Sequence, residues 1–347
     1  MMKLDIIEDK KVWEDFLLSQ EYQPFFQSWN WGEVQERAGH TIYRLGLFDG
    51  KKLVGICLAV LVNAKRGRYL HLRHGPVLSH FQTLLPEFLT LLKGHAIARL
   101  LDFIRISPLI RVSLETDSEN DEKKHINLQF FRDSGFRNAP IHNMDAENAW
   151  VLDLDKSEEE LLSGMRKTTR YLVRKAQDLP LTITQSTDKK DFDAFMKLYE
   201  KTSRRHNFVP HRGIEEEFAI FAKENQAKLF LGRYKKQVLA GALIVFYGDW
   251  AVYHHGASSD EHKEIPAAYA VQWEAIKEAK RLGKKLYNFW GVVPPEKPKH
   301  PWQGLTLFKM GFGGRRLNFI HAQDLPLKVS YWKTYAIETV WRIRRGY

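Results

Sequence analysis

One pattern is written twice along this chain. IYRLGLFDGKKLVGICLAV (42–60) and LFLGRYKKQVLAGALIVF (229–246) align so that the pairs Gly46/Gly232, Leu53/Leu239 and Gly55/Gly241 fall at a single offset. Both read as strand, tight turn, strand. Each copy continues into a third strand closing on a His-Gly pair, His74 and Gly75 in RYLHLRHGP, His255 and Gly256 in WAVYHHGAS. A helical stretch follows in each, near 82–99 and in PAAYAVQWEAIKEAKRLG (266–283), and then the strands LDFIRIS and KKLYNFWG. The unit is therefore three antiparallel strands, a helix and a strand, twice. At 347 residues the chain exceeds a single average domain of roughly 100 to 200, so two domains are expected.

This order of elements resembles the core of the GNAT acyltransferases. It implies an α/β (α+β) fold of tandem GNAT-like domains, mixed sheets flanked by helices. Those enzymes usually cradle the coenzyme A diphosphate with Gln or Arg, two residues, Gly, one residue, then Gly or Ala. GPVLSHFQ and GASSDEHKEIP occupy the corresponding turns here, and the near match QVLAGA (237–242) sits in a hairpin. An acetyl-coenzyme A enzyme is thus the second reading. The seam between domains lies near 150, where VLDL gives way to Ser157 with Glu160 three residues on, a capping box that starts a helix.

Lys and Arg number 53 against 42 Asp and Glu, and the net +11 favours an extended anionic partner such as RNA, phospholipid or a phosphorylated substrate. A surplus of solvated lysines gives the same sum. Cys57 is the only cysteine, which excludes an intramolecular disulfide and a cysteine-clustered metal site, and its apolar strand makes it a packing residue. The amino terminus, MMKLDIIEDKKVWEDF, is too charged for a signal peptide. The longest apolar runs, Leu53 to Val62 and Val238 to Tyr247, fall well short of the about 20 residues that a membrane span needs. A cytoplasmic protein that can touch a membrane without crossing it is expected.

Several stretches are chemically suggestive. Read as one continuous helix, the segment opened by Ser157 puts Leu161, Met165, Leu172 and Ala176 on one face. Arg166, Arg170 and Arg174 line another face, with Lys167 and Lys175 beside them. Stacked like charges repel by a few tenths of a kcal/mol per pair, which a phosphate backbone would offset and a solvated face would tolerate. FFQSWNWGEVQERAG (25–39) offers Trp29 and Trp31 either to the core or to a ligand groove. TSRRHNFVPHR gathers Arg204, Arg205, His206, His211 and Arg212 in a proline-containing loop, where binding groups are usually presented. A metal site is not expected: His254 and His255 are adjacent, which suits chelation poorly, and no carboxylate stands at ligand spacing. Neither a Gly-x-Ser-x-Gly elbow nor a Walker loop exists. In FWGVVPPEKPKHPWQGLTLFKMGFGG, Lys309 follows a proline-rich loop, on the floor of a channel lined by Phe308 and Phe312 or snorkelling from a strand edge. The tail helix sets Trp332, Tyr335, Thr339 and Ile343 on one stripe, with Lys333, Arg342, Arg344 and Arg345 elsewhere. It can pack on the first domain or lie on an anionic membrane.

Taken in order, SWNWGEVQERAG, LRHGPVL, MRKTTRYLVRKAQ, YHHGASS, PAAYAVQWEAIKEAKRLGKKLYNFWG and LFKMGFGG resemble the FemABX family of peptidoglycan interpeptide-bridge aminoacyltransferases over nearly the whole chain. The resemblance implies a tandem GNAT-like pair without a cofactor. Its co-substrate would be aminoacyl-tRNA, and the amino acid would go to the stem-peptide amine of a lipid-linked or UDP-linked muropeptide. It implies that residues from about 318 to 347 return to the first domain, 1–149, leaving 150–317 as the second. Carried over by position, Lys309 falls on the family lysine associated with the tRNA acceptor end and the transferred acyl group. Arg205, before His206, falls on the arginine that holds the muropeptide diphosphate, and Tyr253 or His254 lies near a tyrosine of that pocket. His206, Phe308, Gln35 and Trp31 belong with the substrate-binding set. Two departures stand out: Gln35 replaces a lysine, and Ser107 an acidic residue, of one well-known branch. No general base is evident, with His254, His255 and His206 as candidates. EEEFAIFAKENQAKLFLG leaves no room for the helical hairpin of staphylococcal-type members, so tRNA recognition would rest on Arg166, Lys167, Arg170 and Arg174. The alternatives are a GNAT-type enzyme using a thioester or other acyl donor, and a non-catalytic RNA- or membrane-surface binder.

Overall fold

In a computed structural model the chain divides into two compact units, Met1–Asn148 with Leu317–Tyr347, and Ala149–Arg316. The structure describes residues 1–65, 67–95, 98, 100–111, 128–141, 145–295, 297 and 300–344. One eight-stranded sheet runs Met2–Ile6, Thr41–Asp49, Lys52–Ala64, Gly67–His74, Phe103–Pro108, Gln323–Pro326, Arg137–Asn138, with Val77–Leu78 paired to Lys52–Ala64. A seven-stranded sheet runs Arg315–Asn318, Asn148–Asp153, Leu286–Gly291, Trp250–Ser258, Gln237–Tyr247, Ala227–Tyr234, Leu181–Ser186. The repeat seen in the sequence is the backbone of both. Each has an antiparallel hairpin and a third strand, then a helix, Phe81–Gly94 or Ala267–Arg281, and a closing strand parallel to the third. The first of these helices ends at Gly94, short of the expected 99.

Both central hairpins are apolar on both faces, because helices cover each side. Ile56 to Ala59 and Ala242 to Val245 are all buried, and the Cys57 thiol is a core group whose pKa burial raises. Gly241 is glycine because the Phe195 ring fills the place of a side chain: a Cβ there would lie 2.7 Å from it. Among the described residues no helix is long and apolar enough to cross a membrane.

The tail helix, Tyr331–Arg344, packs within the first unit, but on a different stripe from the expected one. Tyr331, Thr334 and Glu338 face inward, while Trp332 and Ile343 are exposed; Arg345 lies outside the described residues. The reason is a buried ionic network rather than apolar periodicity. Arg105 donates to Asp324 through Nε and Nη2 at 2.7 and 2.8 Å, and to Glu338 at 2.7 Å. Tyr331 joins the same cluster through its hydroxyl on Asp324, its ring packing against Phe103 and Tyr69. Burial opposes the Arg105 charge, yet the hydrogen bonds and attraction of Asp324, then Glu338, more than offset it and hold its pKa above the ordinary value. Removing one partner of such a buried pair leaves a charge uncompensated. Asp324→Ala should therefore lower unfolding free energy by about 3–5 kcal/mol in urea denaturation, far more than the same change at the exposed Asp15.

Candidate active site

The two copies of the fold part company where the third and last strands run side by side. In the first unit this parallel pair is zipped throughout, from Tyr69 opposite Phe103 to His74 opposite Pro108. In the second, pairing stops after Val252 opposite Asn288, although the strands continue to Ser258 and Gly291. The sheet thus opens at the carboxyl ends of two parallel strands, the place where open α/β sheets take ligands. Two irregularities lie there. His254 is the extra residue of a bulge against Leu243 and Ile244, and a second register shift falls between Asn288 and Gly291.

The second shift contains the strained residue of the site. Trp290 has φ 69°, a region a tryptophan rarely adopts and that costs of order 1–3 kcal/mol. Buried Asn288 supports it, its Oδ1 accepting the Trp290 N–H at 2.8 Å. Beyond this turn the Gly291 carbonyl accepts a hydrogen bond of 2.6 Å from Lys309 Nζ.

Lys309 sits in the last turn of a helix, Gln303–Met310, and is 5% exposed. It neither occupies a strand edge nor snorkels to water, which corrects the strand reading of this segment. Phe312 is a fully buried core residue rather than channel lining, while half-buried Phe308 packs on Tyr269 at 5.0 Å and on Phe312 at 5.3 Å. Local bonds fix the helix in place. Thr306 Oγ1 accepts the Val293 N–H at 3.0 Å, Gly311 O accepts the Arg166 N–H at 2.9 Å, and Gly313 O accepts Trp150 Nε1 at 2.7 Å. Gly314, at φ 96°, must be glycine because a Cβ would lie 2.1 Å from Val151 O. Burial pushes the Lys309 amine down to about 7, with no charged neighbour contributing. Next to this helix end, buried Thr169 has its Oγ1 without a hydrogen-bond partner among the described residues, 2.3 Å from where a Gly311 Cβ would be.

The bulge at His254 brings together groups that strict alternation would separate. His254 Nδ1 lies 2.8 Å from one oxygen of Glu217, and His255 Nε2 lies 3.0 Å from the other. Adjacent histidines, which the sequence argument read as poorly suited to chelation with no carboxylate at ligand spacing, here converge on one carboxylate. Glu217 was missed because it comes from a separate helix, Ile214–Lys223. Burial would raise its pKa, but the pull of His254 and His255 sets it well below the usual carboxylate range. The His254 ring meets Trp290 edge-on at 5.1 Å, so the strained tryptophan is next to both this cluster and the carbonyl holding Lys309. Tyr253 lies across Gly256, where a Cβ would be 1.7 Å from its hydroxyl, and burial raises its pKa above that of a free phenol.

Arg205 and His206 close a helix, Lys189–His206, instead of lying in a loop; the turn comes at Asn207, in the left-handed region. Arg205 bonds Ser258 through its carbonyl at 2.7 Å and hydroxyl at 3.1 Å, at the open end of the same strand, and pairs with Asp260 at 3.5 Å. The expected single helix is two, Glu158–Gly164 and Lys167–Gln177, and the basic stripe lies on the second, with Arg166 at its N-cap. The break falls at Met165 and Arg166 because the Arg166 N–H is taken by Gly311 rather than by a helical carbonyl. Arg166, Lys167 and Arg174 are exposed, and Arg170 bonds Ser163 O at 2.8 Å.

In the first unit Trp31 is core, 6% exposed against Phe25 and Phe26, which removes it from a groove. Gln35 is half-buried on the same helix, Trp29–Arg37. Ser107 has an acid beside it after all: its hydroxyl donates to Asp145 at 3.0 Å, and Arg73 Nε donates to Asp145 at 2.7 Å while stacking on Phe26. No local pattern links Asp145 to the LDFIRIS strand.

Two units of this build define a tandem GNAT-like fold. The sequence matches the profile of the FemAB family over residues 9–214 and 211–338, and the chain belongs to that family. It is similar to the lipid II:glycine glycyltransferase of Staphylococcus haemolyticus, 30% identical over 118 residues, 34% of this chain and 27% of that protein. It is also similar to the aminoacyltransferase FemA of Staphylococcus epidermidis, 25% identical over 152 residues, 42% and 36% of the two chains. The chain thus spans about a third of the length of these curated relatives. The crystal structure of FemX superposes with a TM-score of 0.80 at 18% identity, covering 96% of this chain and 99% of that one. A tandem GNAT protein from the clavulanic acid biosynthesis pathway gives 0.55 at 10% identity, covering 94% and 98%.

Two outcomes follow from the site. A lysine whose folded pKa lies below its unfolded value is protonated only in the unfolded chain between about 7 and 10.4, so stability rises with pH across that window. Lys309→Met should raise the melting temperature at pH 6 by a few degrees (about 2–4 °C per kcal/mol), with the gain shrinking towards pH 10. Gly256→Ala should destabilise by about 1–3 kcal/mol, because Tyr253 must leave its place; a thermal melt reads this.

Proposed function

We propose that the protein is an aminoacyltransferase that moves an amino acid from aminoacyl-tRNA to the stem-peptide amine of a peptidoglycan precursor. The observation that carries this reading is Lys309, a buried amine with a pKa near 7 where two parallel strands separate. Membership of the FemAB family and the names of the staphylococcal relatives support the class of reaction.

The acceptor amine attacks the ester carbonyl. A C–N bond forms, the ester C–O bond to the ribose breaks, and negative charge collects on the carbonyl oxygen before collapse. The proton lost by the attacking nitrogen must end on the departing ribose oxygen. Protonated Lys309 suits the developing oxyanion, where one good donor is worth about 3–4 kcal/mol. An amine titrating near 7 also gives and regains a proton readily at neutral pH. Alignment of the two reactants supplies the rest of the acceleration.

Arg205 is assigned to the diphosphate of a lipid-linked or UDP-linked muropeptide, with Tyr253, His254 and Phe308 around it, and no cofactor is required. The exposed Arg166, Lys167 and Arg174, with Arg170, are assigned to the tRNA backbone. Exposed Trp332 and Ile343 with Arg344 on the tail helix suit peripheral contact with the inner face of the cytoplasmic membrane.

The test is incubation with lipid-linked and UDP-linked muropeptides and mixed charged tRNAs, read by mass spectrometry. An acceptor gaining one amino acid residue, abolished by ribonuclease, is expected. In Lys309→Met the rate should fall about 10²–10³-fold while the fold persists. A gain from acyl thioesters alone would replace this reading with a GNAT enzyme.

A further inference from the structure

We infer that Glu217, His254 and His255 form a binding site for a divalent transition-metal ion. The inference stands on the geometry of the second unit and does not depend on the transfer chemistry. One carboxylate oxygen and one ring nitrogen from each histidine lie within 4.8 Å of one another. Consecutive residues of a regular strand face opposite ways. Here the bulge at His254 turns two neighbouring imidazoles onto one carboxylate, a convergence that packing alone does not need.

The surroundings favour an ion over bulk solvent. Glu217 and His255 are buried, and Tyr199 and Trp290 wall the cluster, their rings 6.2 Å from His255 and 5.1 Å from His254. A carboxylate removed from water requires positive charge nearby, which protonated histidine or a bound dication can supply. His211 is adjacent, its ring 5.5 Å from that of His255, so a fourth position can be filled by it or by water. Two imidazoles and one carboxylate are the donor set of zinc and cobalt rather than of magnesium or calcium. Binding would join the Ile214–Lys223 helix to the end of the Trp250–Ser258 strand and, because the ligands must be deprotonated, would release protons.

The experiment is isothermal titration of chelator-treated full-length protein with Zn²⁺ in two buffers of different ionisation enthalpy. One ion per chain with proton release is expected, with affinity at least tenfold lower in Glu217→Gln and in His255→Asn, both checked by far-UV circular dichroism. No saturable binding, or equal affinity in the two folded variants, overturns the inference. Should either variant fail to fold, Co²⁺ added to the native protein decides the matter. The visible absorption of four-coordinate cobalt supports the site, and its absence contradicts it.

Discussion

The candidate site depends on one backbone carbonyl, that of Gly291, turned to meet an ammonium that has left water. A buried lysine ordinarily takes a carboxylate with it, since an unpaired charge in a low-dielectric interior costs several kcal/mol. Lys309 has a peptide oxygen instead, and the result is a lowered pKa rather than an ion pair. The carbonyl is available because Trp290 is held at positive φ, and Trp290 is held there because Asn288 takes the N–H that the broken register releases. Strain in the strand and basicity in the helix are thus parts of one arrangement.

The first unit shows the opposite solution. Arg105, on the strand that corresponds to Leu286–Gly291, is also buried, but two carboxylates keep it charged. Its parallel strands are fully paired, and its cation fastens the tail helix. In the second unit the parallel strands part, and among the described residues the cation has no acid beside it. The two sheets differ in the cation each buries: a guanidinium that stays charged between two carboxylates, and an amine whose pKa burial lowers to about 7.

Much of the fold was legible in the sequence, since hairpins, His-Gly strand ends and helices recur in one order and alternate as strands and helices must. The capping box at Ser157 and Glu160 forms as read. Errors arose where a tertiary bond overrode local pattern. The helix through Met165 reads as continuous, yet a carbonyl from Gly311, far along the chain, takes the Arg166 N–H and breaks it. The tail stripe was displaced because its inward face answers to Arg105 and not to apolar spacing. Lys309 drew attention through resemblance; its helix and its burial were not visible in LFKMGFGG. Glu217 and Asp145 left no signal, because convergence on a bulge or across a sheet is not a property of either local segment.

The most direct measurement is a pH titration of the Lys309 side chain by NMR, using protein labelled with ¹³C at lysine Cε and the Lys309→Met variant for assignment. The account predicts a single lysine resonance titrating near 7, well apart from the others. Titration of Lys309 near 10.4, with the remaining lysines, would show that the amine is solvated or paired and would contradict the role proposed for it at the ester.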